Sequence, residues 1–235
     1  MNFIKNNLKV NVFSPFKYRD FTYLWLGGVT AGMAMSMKIL ISTQWLYDET
    51  GSSIIVGLLG IAQLIQMPVV IYGGVMADVS DRKKLMVYTQ LVSFLLLLFL
   101  GILAQGERLM PWHVFAVIVI TGITNMLGNS SRPAMLPRVI PKQYITEAIG
   151  LSSASFQISS IIAPLIFWKS FEYLGPAGAF YVAASIAFIS VFSPFMINAS
   201  GESKETNKEK PINSIKEGYK FISTHPILPG LYLLD

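Results

Sequence analysis

Six uncharged stretches set the pattern of this chain: residues 21–37, 50–77, 85–106, 109–131, 148–168 and 173–201 contain no Asp, Glu, Lys or Arg. An α-helix crosses the roughly 30 Å hydrocarbon core of a bilayer in about 20 residues. Five of the six stretches reach that length, and the first is interrupted only by Lys38, beyond which apolar character resumes as far as Leu46. The pattern predicts an all-α membrane protein with six crossing helices, approximately at 21–46, 54–77, 85–105, 110–131, 148–168 and 175–199. A helix bonds its own backbone groups internally, as a lipid-exposed segment must.

The basic residues alternate with these stretches. Lys5, Lys9, Lys17 and Arg19 precede the first; Arg82, Lys83 and Lys84 lie between the second and third; Arg132, Arg138 and Lys142 lie between the fourth and fifth; Lys204, Lys208, Lys210, Lys216 and Lys220 follow the sixth. The opposite connections carry only Arg108 and Lys169. Cytoplasmic loops are rich in Lys and Arg, so both ends of the bundle are expected to be cytoplasmic. Residues 1–20 form an amino-terminal arm and 21–200 the bundle. Residues 201–226 form a linker, charged at first and then suited to a short amphipathic helix with Ile215, Tyr219 and Ile222 on one face. Residues 227–235 read as the opening of a truncated seventh helix.

Composition narrows the classes. Only 13% of residues are charged, about half the usual share of a soluble domain, so the chain cannot cover a water-facing surface. The net charge of +5 follows from the loop asymmetry rather than from a folded basic face, which argues against nucleic acid. There is no Cys, and the two histidines, His113 and His225, are far apart, so no metal site is expected. Neither a phosphate-cradling glycine loop nor a nucleophile with a convincing base is seen. No catalytic residue, cofactor or enzyme activity is expected.

The second stretch closes with Gly73-Gly74-Val75-Met76-Ala77-Asp78-Val79-Ser80-Asp81-Arg82-Lys83-Lys84. Glycine at position 74 permits close backbone approach, and a carboxylate at Asp78 can bond the exposed amides of a neighbouring helix start. Arg82, Lys83 and Lys84 can pair with carboxylates and anchor at the headgroups. The spacing resembles motif A of the major facilitator superfamily. Trp45-Leu46 followed by Thr50-Gly51-Ser52, Pro68, Arg132-Pro133-Ala134 with Leu136-Pro137, and Gly218 with His225-Pro226 are similar to its drug-exporter-like branch, that of the enterobactin and macrolide exporters. Val79 and Asp81 depart from the wider motif, and Ala163-Pro164 stands where antiporter members have Gly-Pro.

The resemblance implies the amino-terminal six-helix half of a twelve-helix transporter in the plasma (inner) membrane, working by alternating access. Its partners would be the bilayer, a small-molecule substrate, protons as coupling ion and the missing carboxy-terminal half. Gly74, Asp78, Asp81, Arg82, Lys83 and Lys84 would form the gate. A non-transporting six-helix scaffold or partner-binding module is the alternative.

Within the spans, Lys38 either meets a substrate or partner charge or snorkels to the surface. Gln44, Gln63, Gln66, Asn125, Asn129 and Gln157 either line a substrate pathway or bond between helices. Gly28 and Gly32 suit a close helix crossing, and Pro68 and Pro164 suit kinks.

Overall fold

The computed structural model describes residues 12–64 and 81–201, and of residues 127, 129 and 130 the backbone alone. Five α-helices follow one another among the described residues: α1 (Arg19–Thr50), α2 (Ser53–Leu64), α3 (Arg82–Gln105), α4 (Pro111–Val139) and α5 (Ile145–Phe192). Short 3-10 turns occupy Ser14–Lys17, Lys142–Tyr144 and Ser193–Met196, and no strand occurs among the described residues. Among the described residues, four segments are long and apolar enough to cross a membrane: α1, α3, α4 and the stretch Lys142–Met196 that contains α5. α2 is a shorter apolar helix. The rest of the second predicted span, residues 1–11 of the arm, the linker beyond Gly201 and the start of a seventh helix lie outside the described residues.

Local chemistry sets the helix ends. α1 closes at Gly51, whose φ of 59° is left-handed and whose N–H donates to the Tyr47 carbonyl at 2.8 Å; glycine adopts this cap without strain. Asp81 caps α3, its Oδ1 accepting from the amides of Lys83 (2.9 Å) and Lys84 (3.3 Å). α4 opens with Pro111, where a missing N–H costs nothing, and the Met110 N–H donates to His113 Nδ1 at 3.0 Å.

Three boundaries differ most from those the sequence predicts. α4 does not end at residue 131 but passes through Arg132, Pro133 and Pro137 to Val139. Each proline removes one helical donor. In a membrane helix the freed carbonyls can find partners on neighbouring helices, and the Arg82 guanidinium reaches this turn, donating to the Ala134 carbonyl at 2.9 Å.

α5 is continuous across 169–174, where a connection was expected. It breaks at Gly175, whose φ of 68° and ψ of −173° are non-helical, and resumes at Pro176. The chain doubles back there. Ser155 of the first arm lies beside Gly28 of α1, and Ser193, just past the second arm, lies beside Gly27. The turn itself is far away, since Tyr181 of the second arm reaches Gln105 at the other end of α3 (2.6 Å). The second arm then stops at Phe192 instead of 199, because Pro194 draws the chain into the Ser193–Met196 turn.

Two apolar cores result. One gathers Met37, Ile41, Leu46, Leu97, Leu100, Val114, Val117 and Phe180. The other, at the charged end, gathers Phe21, Leu24, Met86, Met135, Leu136, Ala148 and Ile197. Between them fall Gln90 on α3 and Asn125 on α4, whereas Lys38 of α1 sits within the first core, between Met37 and Ile41.

Candidate functional site

A cleft of about 320 Å³ opens between α1, α3, α4 and the first arm of α5. α1 contributes Leu24, Trp25, Gly28, Ala31, Gly32 and Met35; α3 contributes Gln90; α4 contributes Asn125, Arg132, Pro133 and Leu136; α5 contributes Ser152, Ser155 and Phe156. A void of about 10 Å³ abuts its floor, sharing Ala31, Met35, Gln90 and Asn125 and adding Ala34, Lys38, Ser93 and Leu97. Such a space holds about one water.

The back wall is a seam of small residues. A Cβ on Gly32 would stand 2.9 Å from Ser159 Oγ, and one on Gly28 would stand 3.0 Å from Arg132 Nη1 and 3.5 Å from Ser155 Oγ. Helices in lipid gain little from apolar burial and instead associate through close packing and interhelical hydrogen bonds. Here Ser159 donates to the Val29 carbonyl (2.8 Å), Trp25 Nε1 to the Leu151 carbonyl (2.8 Å), and Ser193 to the Tyr23 carbonyl (2.6 Å).

Two cations mark the ends of the space. Half-buried Arg132 donates from Nη1 to the Leu24 carbonyl at 3.3 Å. Lys38 is 5% exposed, too enclosed to reach the surface, and donates to the Thr121 hydroxyl. Between them, Ser190 donates to Gln90 Oε1 at 2.9 Å. The Ser93 hydroxyl is buried with no hydrogen-bond partner among the described residues. No Asp or Glu lines the cleft or the void among the described residues.

A second arrangement sits at the charged end. Asp20 Oδ2 accepts from the amides of Asn198 (3.1 Å) and Ala199 (2.9 Å). Lys83 Nζ donates to the Ile197 carbonyl (2.6 Å), Arg138 Nη1 to the Ser200 carbonyl (2.9 Å), and the Arg82 amide to the Gly201 carbonyl (3.0 Å). Groups on α1, α3 and α4, with the Asp81 cap beside Gly201, thus hold residues 197–201.

Of the residues singled out from sequence, Gly28, Gly32 and Asn125 line the cleft and Lys38 lies under its floor. Gln44, Gln63 and Gln157 are exposed and line neither space, and Gln44 donates to Asp48 at 2.8 Å. Pro164 lies within the first arm of α5, whereas Lys84 is exposed at the start of α3. Gln66, Pro68, Gly74 and Asp78, and the side chain of Asn129, lie outside the described residues. Sequence reasoning did not single out Trp25, Gln90, Ser93 and Thr121, and noted Arg132 only as a basic loop residue and part of the exporter-branch resemblance. Gln90 and Ser93 carried a usable signal, as polar residues inside an apolar run; Arg132 was assigned to a loop.

A family profile described as transmembrane secretion effector matches residues 10–229. Macrolide efflux protein A of Streptococcus pyogenes is 26% identical over 158 residues, which cover 66% of this chain and 38% of that protein. The enterobactin exporter EntS of Shigella boydii serotype 4 is 22% identical over 226 residues, covering 93% of this chain and 50% of the exporter. Its counterpart in Escherichia coli O127:H6 is 23% identical over 222 residues, with the same coverage. The chain therefore spans half or less of the length of these relatives. No solved structure matches it.

Proposed function

Since this chain belongs to the transmembrane secretion effector family of the major facilitator transporters, we propose that it forms the amino-terminal lobe of a twelve-helix exporter in the plasma membrane. In this reading α1, the segment beginning with α2, α3, α4 and the two arms of α5 are its six spans, with both ends cytoplasmic. The substrate is a small molecule, as in the macrolide and enterobactin relatives. The two lobes rock about a site near the membrane midplane, and a proton gradient supplies the energy.

The observation that supports this reading is the cleft between four helices, lined or floored by the buried polar and charged groups Gln90 and Lys38. Ionisable and polar groups inside a membrane domain mark pathways. The motif around Gly74, Asp78, Asp81, Arg82, Lys83 and Lys84 acts as the gate. Its Arg82 and Lys83 already hold backbone carbonyls of α4 and of the chain after α5, so movement of this end would exchange these bonds for others.

Flux through the full-length protein in proteoliposomes tests the reading. Outward transport of macrolides, catecholate siderophores or other amphiphiles, accelerated by an imposed proton gradient, is the expected result. Absence of flux for every compound in such a panel, from protein that is folded and correctly inserted, would rule it out.

A further inference from the structure

Resting on the transporter reading above, we propose that the substrate is an organic anion whose acid group is neutralised at Lys38, with its apolar body against Trp25, Met35 and Phe156. The Lys38 ammonium carries three donors and spends one on Thr121. A buried ammonium without a counter-charge is costly in hydrocarbon, and no carboxylate lines the cleft or the void among the described residues.

The neighbouring polar groups point to the same kind of ligand. Ser190 occupies the oxygen of the Gln90 amide, which leaves its NH₂ as the free end. The Ser93 hydroxyl, on the wall shared with Lys38, has no partner among the described residues. Arg132 at the mouth gives one bond to Leu24 and has five N–H donors in all. The space is therefore rich in donors and positive at both ends, which suits an acceptor-rich anion and repels a cation. Lys38 lies ten residues along α1 from Gly28, about 15 Å at the helical rise. An elongated molecule can thus set its acid near Lys38 and leave its other end beside Arg132. The void that Lys38 lines adjoins the floor of the cleft, sharing Ala31, Met35, Gln90 and Asn125 with it.

Equilibrium dialysis of the purified full-length protein in detergent, with three probes that share one apolar body, tests this assignment: naphthoate, naphthamide and naphthylmethylammonium. Naphthoate should bind at least about tenfold more tightly than the other two, a difference of about 1.4 kcal/mol. Lys38→Met should reduce it to the level of the amide. Lys38→Arg, which keeps the charge, and Thr121→Val, which removes only the partner, should preserve the preference in protein that elutes as a single folded species. Equal or tighter binding of the amide or the ammonium would overturn the proposal. So would naphthoate binding that is indifferent to Lys38→Met, or no naphthoate binding at all. If the same protein, reconstituted in proteoliposomes, exports neutral or cationic compounds independently of Lys38, the transporter reading stands and the anion assignment falls. If nothing is exported, the transporter reading itself fails.

Discussion

The Arg82 guanidinium donates to the Ala134 carbonyl across 2.9 Å. This bond fastens the first residue of α3 to the α4 turn between Pro133 and Pro137. Pro137 has no N–H to offer the Pro133 carbonyl, so this turn is already short of helical bonds, and an arginine from outside the helix supplies one nearby. Arg82 is thus part of the packing of the described helices, besides any gating role.

Arg82→Ala should therefore destabilise the lobe modestly and impair flux strongly. A hydrogen bond from a charged donor is worth about 1.5–3 kcal/mol when buried, and Arg82 is only half-buried, so about 1 kcal/mol is expected after solvent screening. Thermal unfolding of the detergent-solubilised protein, beside vesicle flux, separates the two effects. An unchanged melting temperature would show that the bond to Ala134 contributes nothing to the fold.

The glycine seam should not tolerate bulk. A side chain on Gly27 would overlap Ser193, and one on Gly32 would press on Ser159 at 2.9 Å. Gly27→Val and Gly32→Val should each cost about 1–3 kcal/mol through overpacking, read as a lowered unfolding midpoint in detergent. Val at Gly57, where an added Cβ meets nothing within 4 Å among the described residues, is the matched control and should behave as wild type.

Asp20 should govern the chain after α5. Its carboxylate accepts from the amides of Asn198 and Ala199. Asp20→Ala should therefore speed hydrogen exchange at those two amides by about tenfold, equivalent to about 1.4 kcal/mol, and leave exchange in the α1–α5 seam unchanged. Uniform acceleration throughout the protein would instead show that the variant loosens the whole lobe.

Gly175 combines φ 68° with ψ −173°, a region open in practice to glycine alone. Gly175→Ala should cost about 1–3 kcal/mol even though, among the described residues and apart from its chain neighbours, the added carbon meets nothing within 4 Å. The loss is conformational strain with no clash, so enlarging the side chain further to Val should add less than the first step did. Unfolding midpoints of the two variants check this.

Much of the architecture was legible because lipid imposes simple rules. Long uncharged runs marked α1, α3, α4 and the arms of α5, and the glycine pair at Gly28 and Gly32 was visible as a spacing. The end of α4 was not legible. Pro133 and Pro137 break a helix in water, but here they are carried within one, beside a carbonyl that accepts from Arg82. Arg132, taken for a loop residue on the same reasoning, instead lies on α4 at the mouth of the cleft. Lys38 stood out as the charge inside a span, but its burial depends on Thr121, 83 residues away, and nothing local in the sequence reports that pairing.

The Ser159–Val29 and Trp25–Leu151 bonds join residues 130 and 126 positions apart, which bears on how the protein is made. α1 leaves the ribosome before α5, yet Gly28 and Gly32 have no serines to meet until the first arm of α5 has been synthesised, and Gly27 none until the chain has turned back at Gly175 to bring in Ser193. During translation the face that carries these glycines must wait against lipid or against the insertion machinery. Nascent chains halted before residue 150 should therefore keep α1 within crosslinking reach of the translocon, and chains extended past residue 200 should release it.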